Sequence, residues 1–356
     1  MPDPAPLKFA VIGIDHPHIY EQVARLLELG CECVGWYADG EPRPFEGFRQ
    51  QFPQLERIND HRRLLEDPAV ALIVTAAVPD MRAGIAVDAM VHGKDVMTDK
   101  PGCTTLGQLE EVRRTQTATE RIWSVCFSER FAVRAVTRAA ELIIQGAIGR
   151  VVNLVGLGPH RLNKSLRPAW FFDRARYGGI LCDLASHQID QFLYLTGSAD
   201  ASIVGSAVAN YANPDCPGLE DFGEVWLRGD QATGYARVDW YTPDGLGTWG
   251  DGRLTILGTE GFIEVRKYVD IAGREGGDHL FLATQKETRY INCADASLPY
   301  YPSLVRDVRE RTETAMAQSH CFKVMELALT AQAQATCLHG VVNCRPQELP
   351  PLFVPC

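Results

Sequence analysis

Three side chains in this sequence have the types and settings that proton chemistry on a hydroxyl needs: Lys100, Asp183 and His187. Asp183 and His187 stand four apart within Gly178-Gly179-Ile180-Leu181-Cys182-Asp183-Leu184-Ala185-Ser186-His187-Gln188-Ile189-Asp190. The two glycines allow a tight turn. Leu184, Ile189, Phe192 and Leu193 then give an apolar face, so the stretch predicts a helix on which residues i and i+4 stack. A carboxylate and an imidazole would project together there. An imidazole titrates near about 6.5, and a neighbouring carboxylate orients it and favours its charged form. The same spacing also fits a plain helix with a solvent-facing Asp-His pair. Lys100 follows a short apolar strand and precedes Pro101, which biases its backbone to the extended region. Placed so, its ammonium points into a crevice; the alternative is a solvated surface turn.

The elements that must position these groups alternate in the first half. Lys8–Gly13, Cys33–Tyr37, Val70–Thr75, Asp95–Met97 and Ile122–Val125 read as buried strands. Helical patterns lie between them, at His18–Leu29, Phe45–Phe52, Met81–His92 and Thr104–Thr119. Such alternation implies βαβ units and a doubly wound parallel sheet, whose ligands bind at the carboxyl ends of the strands. Those ends hold Gly13, Ile14, Asp15 and His16, then Asp39, then Ala77, Val78 and Pro79, then Lys100. All are expected to bind a dinucleotide. The first loop keeps only the first glycine of G-x-G-x-x-G, with Asp15 and His18 at the other two positions. The following helix N-terminus would still offer N–H groups to a phosphate, and Asp15 would oppose the anion. Asp39 ends the second strand, where an acidic residue bonds ribose hydroxyls; its charge predicts NAD over NADP. A turn aspartate before Gly40 is the alternative. No metal is expected, because Asp15, His16 and His18 have no identifiable further ligand.

The second half reads differently. Ser128–Gln145 is helical, Val151–Val155 a strand, and after the central helix come period-two runs at Ser202–Ala209, Phe222–Arg228, Thr233–Trp240, Gly252–Leu257, Phe262–Arg266 and Leu280–Ala283. These predict a mostly antiparallel open sheet in an α+β domain. Tyr301–Ala317 and Cys321–Leu338 read as closing helices. The expected division is residues 1–128 for nucleotide binding, 129–344 for substrate binding and oligomerisation, and an extended tail at 345–356.

Composition narrows the classes. The chain has 356 residues, a net charge of -10 and 46% hydrophobic residues. Two soluble domains with ample core are expected, and the acidic balance argues against nucleic acid. Eleven scattered cysteines without a CxxC suggest a reducing compartment, hence the cytoplasm. Met1–Pro6 lacks the basic and apolar regions of a signal peptide, and no run approaches the roughly 18 apolar residues of a membrane span.

With these motifs in hand, the chain resembles the glucose–fructose oxidoreductase / inositol dehydrogenase (Gfo/Idh/MocA) family over most of its length. Asp99-Lys100-Pro101 looks like the family's E/D-K-P motif. Trp170, Gly178-Gly179, Asp183, His187 and Asp190 look like its W…GG…D-x3-H-x2-D segment. Arg130, Gly149 and Gly258-Thr259-Glu260-Gly261 also fall in family places. The resemblance implies a Rossmann-type domain joined to an α+β domain whose open sheet makes oligomer contacts, as a homodimer or homotetramer. It implies Lys100, Asp183 and His187 as the catalytic set. Val78, Asp80 and Ala83 depart from the family's Thr, Asn and His.

The expected reaction is hydride transfer between NAD and a secondary alcohol carbon of a sugar, inositol or related polyol. His187 would take the hydroxyl proton, Lys100 would stabilise the developing alkoxide, and Asp183 would orient His187 or bind a neighbouring hydroxyl. Arg130, His160, Arg161 and Trp170, with Asp183 and His187, are the expected substrate contacts. NAD-assisted glycoside cleavage and a non-catalytic, nucleotide-binding regulatory role are the alternatives.

Overall fold

A computed structural model of the chain describes residues 5–338; the expected tail at 345–356 lies outside them. Five strands form the first sheet: β1 (Lys8–Ile12), β2 (Glu32–Tyr37), β3 (Leu72–Thr75), β4 (Asp95–Asp99) and β5 (Trp123–Cys126). Their order is β2-β1-β3-β4-β5 and every pairing is parallel. β3, β4 and β5 are buried throughout, as strands covered by helices on both faces must be. The helices are α1 (His18–Glu28), α2 (Phe45–Gln51), α3 (Arg62–Glu66), α4 (Pro79–Val91) and α5 (Leu106–Thr119). The strand order reverses between β1 and β3, with β2 on one side and β4 and β5 on the other, which makes the crevice at their carboxyl ends the switch point of the sheet. Gly13 turns the chain there at φ +83°, and a Cβ on it would lie 2.5 Å from the Ala77 Cβ. Only glycine lets the two loops approach so closely.

The expected single helix over Ser128–Gln145 is two: α6 (Ser128–Phe131) and α7 (Arg134–Ile144), broken at Ala132–Val133. Val133 is extended at the start of α7. Then come β6 (Val151–Pro159), α8 (Arg174–Tyr177), α9 (Ser186–Thr196), β7 (Ala201–Ala209), β8 (Phe222–Gly229), β9 (Thr233–Asp239), β10 (Arg253–Gly258), β11 (Gly261–Arg266), β12 (His279–Thr284) and β13 (Thr288–Asn292). α10 (Tyr300–Glu310), α11 (Gln318–Gln334) and the short β14 (Thr336–Cys337) close the described chain. The second sheet runs β13-β12-β11-β10-β6-β9-β8-β7-β14. It is antiparallel except at β6–β9 and β7–β14. One face buries Leu154, Val225, Ala236, Ile256 and Ile263 toward the core. α9 and α11 cover that side, and α11 also reaches β5 of the first sheet, so one apolar core runs through both. Among the described residues no helix is long and apolar enough to cross a membrane. The described cysteines are all free thiols.

Candidate active site

Ahead of α9, the expected continuous α-helix is interrupted. Gly178 and Gly179 have φ of +91° and +93°, and Leu181–Ala185 then forms a π-helical turn. A Cβ on Gly179 would fall 2.2 Å from the Gln332 side chain of α11, so glycine is required by close approach as well as by φ. A π-turn bonds i to i+5, and the i,i+4 stacking on which the Asp183–His187 pairing rested is lost. Asp183 turns to the first sheet instead. Lys100 Nζ donates to Asp183 Oδ1 at 2.9 Å and to its carbonyl oxygen at 3.3 Å. Burial alone would raise the Asp183 carboxyl; the Lys100 ammonium outweighs it and holds the group below the usual range. The expectation that Asp183 orients His187 is therefore corrected: its carboxylate is engaged by Lys100.

His187 is 1% exposed, and its Nδ1 has no hydrogen-bond partner. Burial pushes its pKa down to about 3, with Lys100, His160 and Lys267 adding to the effect against the pull of Glu129. The expected titration near neutrality is thus corrected to a neutral imidazole. Beneath it lies a buried polar group that sequence reading missed. Glu129 accepts from Lys267 and, at 3.0 Å, from the Gln188 amide. Gln191 accepts from Lys267 at 2.9 Å. Although burial opposes ionisation, Lys267, His187 and His160 hold the Glu129 carboxyl down to about 2.

Two cavities adjoin at the carboxyl ends of the first sheet. The larger, about 560 Å³, is lined by Gly13, Asp15, Asp39, Ala77 and Val78, together with Tyr37 and Arg176, which were not foreseen. One residue further along both loops, His16 and Pro79 line the second, about 290 Å³, together with Lys100 and Asp183. Ile14, expected at the cofactor, is instead fully buried in the core because its side chain points inward. His160, Arg161, Trp170 and Asp183 line the second cavity, where substrate contacts were expected, whereas His187, also expected there, is buried and not part of its lining. Burial lowers the His160 pKa to about 4, and its ring packs against Trp240 and Trp249. Arg130 does not reach this cavity. Its Nε and Nη2 each bond an Asp190 oxygen at 2.6 Å, and its guanidinium lies over Phe131 and Tyr194. A bidentate buried pair of this kind holds structure, here between α6 and α9.

Asp99, beside Lys100, is fully buried and organises the floor. His18 Nδ1 lies 2.8 Å from one oxygen; His16 Nδ1 and Arg82 Nη2 each lie 3.2 Å from the other. Burial would raise this carboxyl, but His18, Arg82 and His16 hold it well below the ordinary range. His16, His18 and Asp99 put ligand-type atoms within 4.8 Å of one another. The Arg82 guanidinium already neutralises that carboxylate, and a divalent ion would have to sit against it. Arg82 also donates to the carbonyls of Ala77 at 2.7 Å and Lys100 at 2.5 Å, tying together the loops after β3 and β4. Its only sequence signal is an arginine inside the apolar, Ala-rich α4.

The donor set of the larger cavity fits a dinucleotide in two respects and opposes it in one. Gly13 permits close backbone approach, and Asp39 stands at the end of β2 where ribose hydroxyls would lie. Asp15 puts a carboxyl where the phosphates would lie; burial raises its pKa against the pull of Arg82.

Comparison with known proteins bears on the whole described chain. The oxidoreductase family with an NAD-binding Rossmann fold matches residues 7–127, and the GFO/IDH/MocA C-terminal domain matches residues 136–264. A solved structure described as an oxidoreductase from Erwinia carotovora atroseptica is 44% identical, with a TM-score of 0.90 over 93% of this chain and 99% of that one. Levoglucosan dehydrogenase from Pseudarthrobacter phenanthrenivorans is 29% identical over 46% of this chain and 43% of its own length. The chain thus spans less than half the length of the curated relatives it matches. A levoglucosan dehydrogenase solved in complex with NADH shares the fold at a TM-score of 0.71 and 20% identity, over 92% of this chain and 95% of that one. With both halves matched in order and Lys100 and Asp183 joined across them, the chain belongs to the Gfo/Idh/MocA oxidoreductase family.

Proposed function

We propose that this protein transfers a hydride between NAD and a secondary alcohol carbon of a sugar, inositol or related polyol. The observation that carries the reading is the Lys100–Asp183 ion pair at 2.9 Å, formed between the end of β4 and the π-turn before α9, in a cavity beside the one lined by Gly13 and Asp39. NAD, when bound, supplies the carbon that accepts or gives the hydride. Lys100 hydrogen-bonds the reacting oxygen and stabilises charge developing on it, while Asp183 holds the ammonium in place and meets a neighbouring hydroxyl. His187, neutral and backed by Glu129, accepts the hydroxyl proton. In oxidation the alcohol would become a ketone, with bound NAD as the hydride acceptor and His187 as the group that takes the O–H proton. In this reading residues 1–128 bind the nucleotide and 129–344 the substrate, and the chain works in the cytoplasm, where free thiols persist.

A nucleotide-binding regulatory role is the second reading, favoured by Asp15 in the phosphate loop. The discriminating experiment follows absorbance at the reduced-nicotinamide band with NAD and NADP over sugars, inositols and their acids. NAD-dependent oxidation is expected, with NAD bound more tightly than NADP because of Asp39. Lys100→Ala should lower kcat by about 10²–10³-fold, the usual cost of losing a donor to a developing oxyanion, with NAD affinity nearly kept. Binding of NAD without turnover of any polyol would shift the assignment to the regulatory reading.

A further inference from the structure

The substrate cavity carries a charge pattern opposite to that of the whole chain. Four cationic side chains, Arg82, Lys100, Arg161 and Arg167, line it against one aspartate, Asp183, in a protein of net charge -10. Three of the cations have partners: Arg82 pairs with Asp99 and Lys100 with Asp183, while Arg161 lies 3.7 Å from Asp244. Among the described residues Arg167 makes no ion pair. Its Nε and Nη2 donate to the carbonyls of Leu162 at 2.7 Å and Arg161 at 3.1 Å. Its guanidinium is pinned over the rings of Phe171, at 4.4 Å, and Trp240, at 5.0 Å. Nη1 makes no hydrogen bond within the described protein. Arg167 is half-buried, and Asp183, the carboxylate that acts on it across the cavity, is not in ion-pair contact, so a ligand's negative charge can complete the guanidinium's partners. The lowering of its pKa to about 10 by burial accords with this. Planar, fixed on two carbonyls and two rings, the guanidinium is pre-organised for an anion.

We propose that the substrate is a sugar acid, whose carboxylate docks on Arg167 while its reacting hydroxyl meets Lys100. This assignment rests on the dehydrogenase reading above. A carboxylate suits the site better than a phosphoryl group, because one guanidinium with a single free nitrogen gives too few donors for a dianion with three terminal oxygens. The local positive excess also gathers anions against the chain's overall repulsion. The reaction on such a substrate is that described above, with the carboxylate unchanged.

The test uses the full chain with NADH bound, and calorimetric titration with D-gluconate, D-glucuronate, D-glucose and D-glucose 6-phosphate. At least one of the two acids should bind ten-fold or more tighter than glucose. Arg167→Gln should bring that ratio within about two-fold of unity, and Arg167→Lys should restore part of it. Glucose binding as tightly as both acids, tightest binding by the phosphate, or no binding by any probe would each overturn the assignment. So would an acid preference that survives Arg167→Gln. Turnover is read separately. An Arg167-dependent acid preference without NAD reduction would remove the dehydrogenase reading and keep the anion site; faster oxidation of neutral polyols than of acids would do the reverse.

Discussion

Two residues here carry protons whose state is set by burial, and each makes a pH prediction. His187 has its pKa pushed down to about 3, so it is neutral over the range in which the enzyme would work. The pH profile of kcat/KM should therefore show no His187 ionisation near about 6.5, the ordinary imidazole value. A limb at that pH that vanishes in His187→Asn would contradict the assignment. Asp15 goes the other way: burial raises its carboxyl pKa. Above that pKa it is a carboxylate facing the phosphates; as pH falls toward it the group becomes neutral and the repulsion is lost. NAD should bind more tightly as pH falls toward that raised pKa, and Asp15→Gly should bind more tightly than wild type and lose most of that slope. Calorimetric titrations of both proteins at several pH values would measure this. A weaker-binding Asp15→Gly would mean that the carboxyl helps the site by ordering its loop.

At the scale of elements, the site depends on a π-turn that a short sequence pattern does not disclose. The strands of the first sheet were legible because buried parallel strands are continuous apolar runs, as Leu72–Thr75 is. Lys100 was legible because it follows such a strand. Asp183 and His187 were legible as residues, yet their mutual geometry was not, since four residues of spacing do not distinguish an α-turn from a π-turn. Arg130 and Asp190 lie 60 residues apart, and no local signal announces the pair that removes Arg130 from the substrate cavity. Arg82, Glu129, Lys267 and Arg167 were missed for the same reason: their function lies in partners far along the chain. The glycines before the π-turn give the prediction at this scale. Gly179→Ala meets both an unfavourable φ of +93° and the Gln332 side chain of α11. It should destabilise the fold by about 1–3 kcal/mol, the range for overpacking a tight core. Denaturant unfolding would measure that. Gly146→Ala, also at positive φ but with open space around its Cβ, should cost less. Equal losses in the two would mean that φ alone matters and that the packing of α11 on the turn is dispensable.

For the whole molecule, the second sheet has one face buried under helices and one face left bare. Register places the bare face in rows. Trp226 pairs with Tyr235, Tyr235 with Val155, and Val155 with Thr255; one step over, Asn153 pairs with Leu257 and Leu257 with Phe262. Trp226 is 52%, Leu257 46% and Phe262 42% exposed, with Tyr290 exposed on the outer strand β13. Large apolar side chains gathered on one open sheet face mark an association surface. We propose that two copies cover these faces against each other, giving a homodimer or a homotetramer built from such dimers, with the symmetric contact of a two-fold pair. Arg228 and Glu264 lie on the same face beside the apolar rows, and opposite charges at such positions can fix the register of two copies. Light scattering at micromolar concentration should give at least twice the 39.4 kDa chain mass. Trp226→Asp with Phe262→Asp places unpaired carboxylates in the contact and should yield monomer, with circular dichroism unchanged because neither side chain belongs to the buried face. A wild type that remains at 39.4 kDa, or a double variant that remains oligomeric, would show that this face is not the contact. The active-site cavity draws its lining from Lys100 and Asp183 of one chain, so the monomeric variant should keep NAD affinity, and any loss of turnover would trace to positioning of β6 and β9, the strands that carry His160 and Trp240 at their ends.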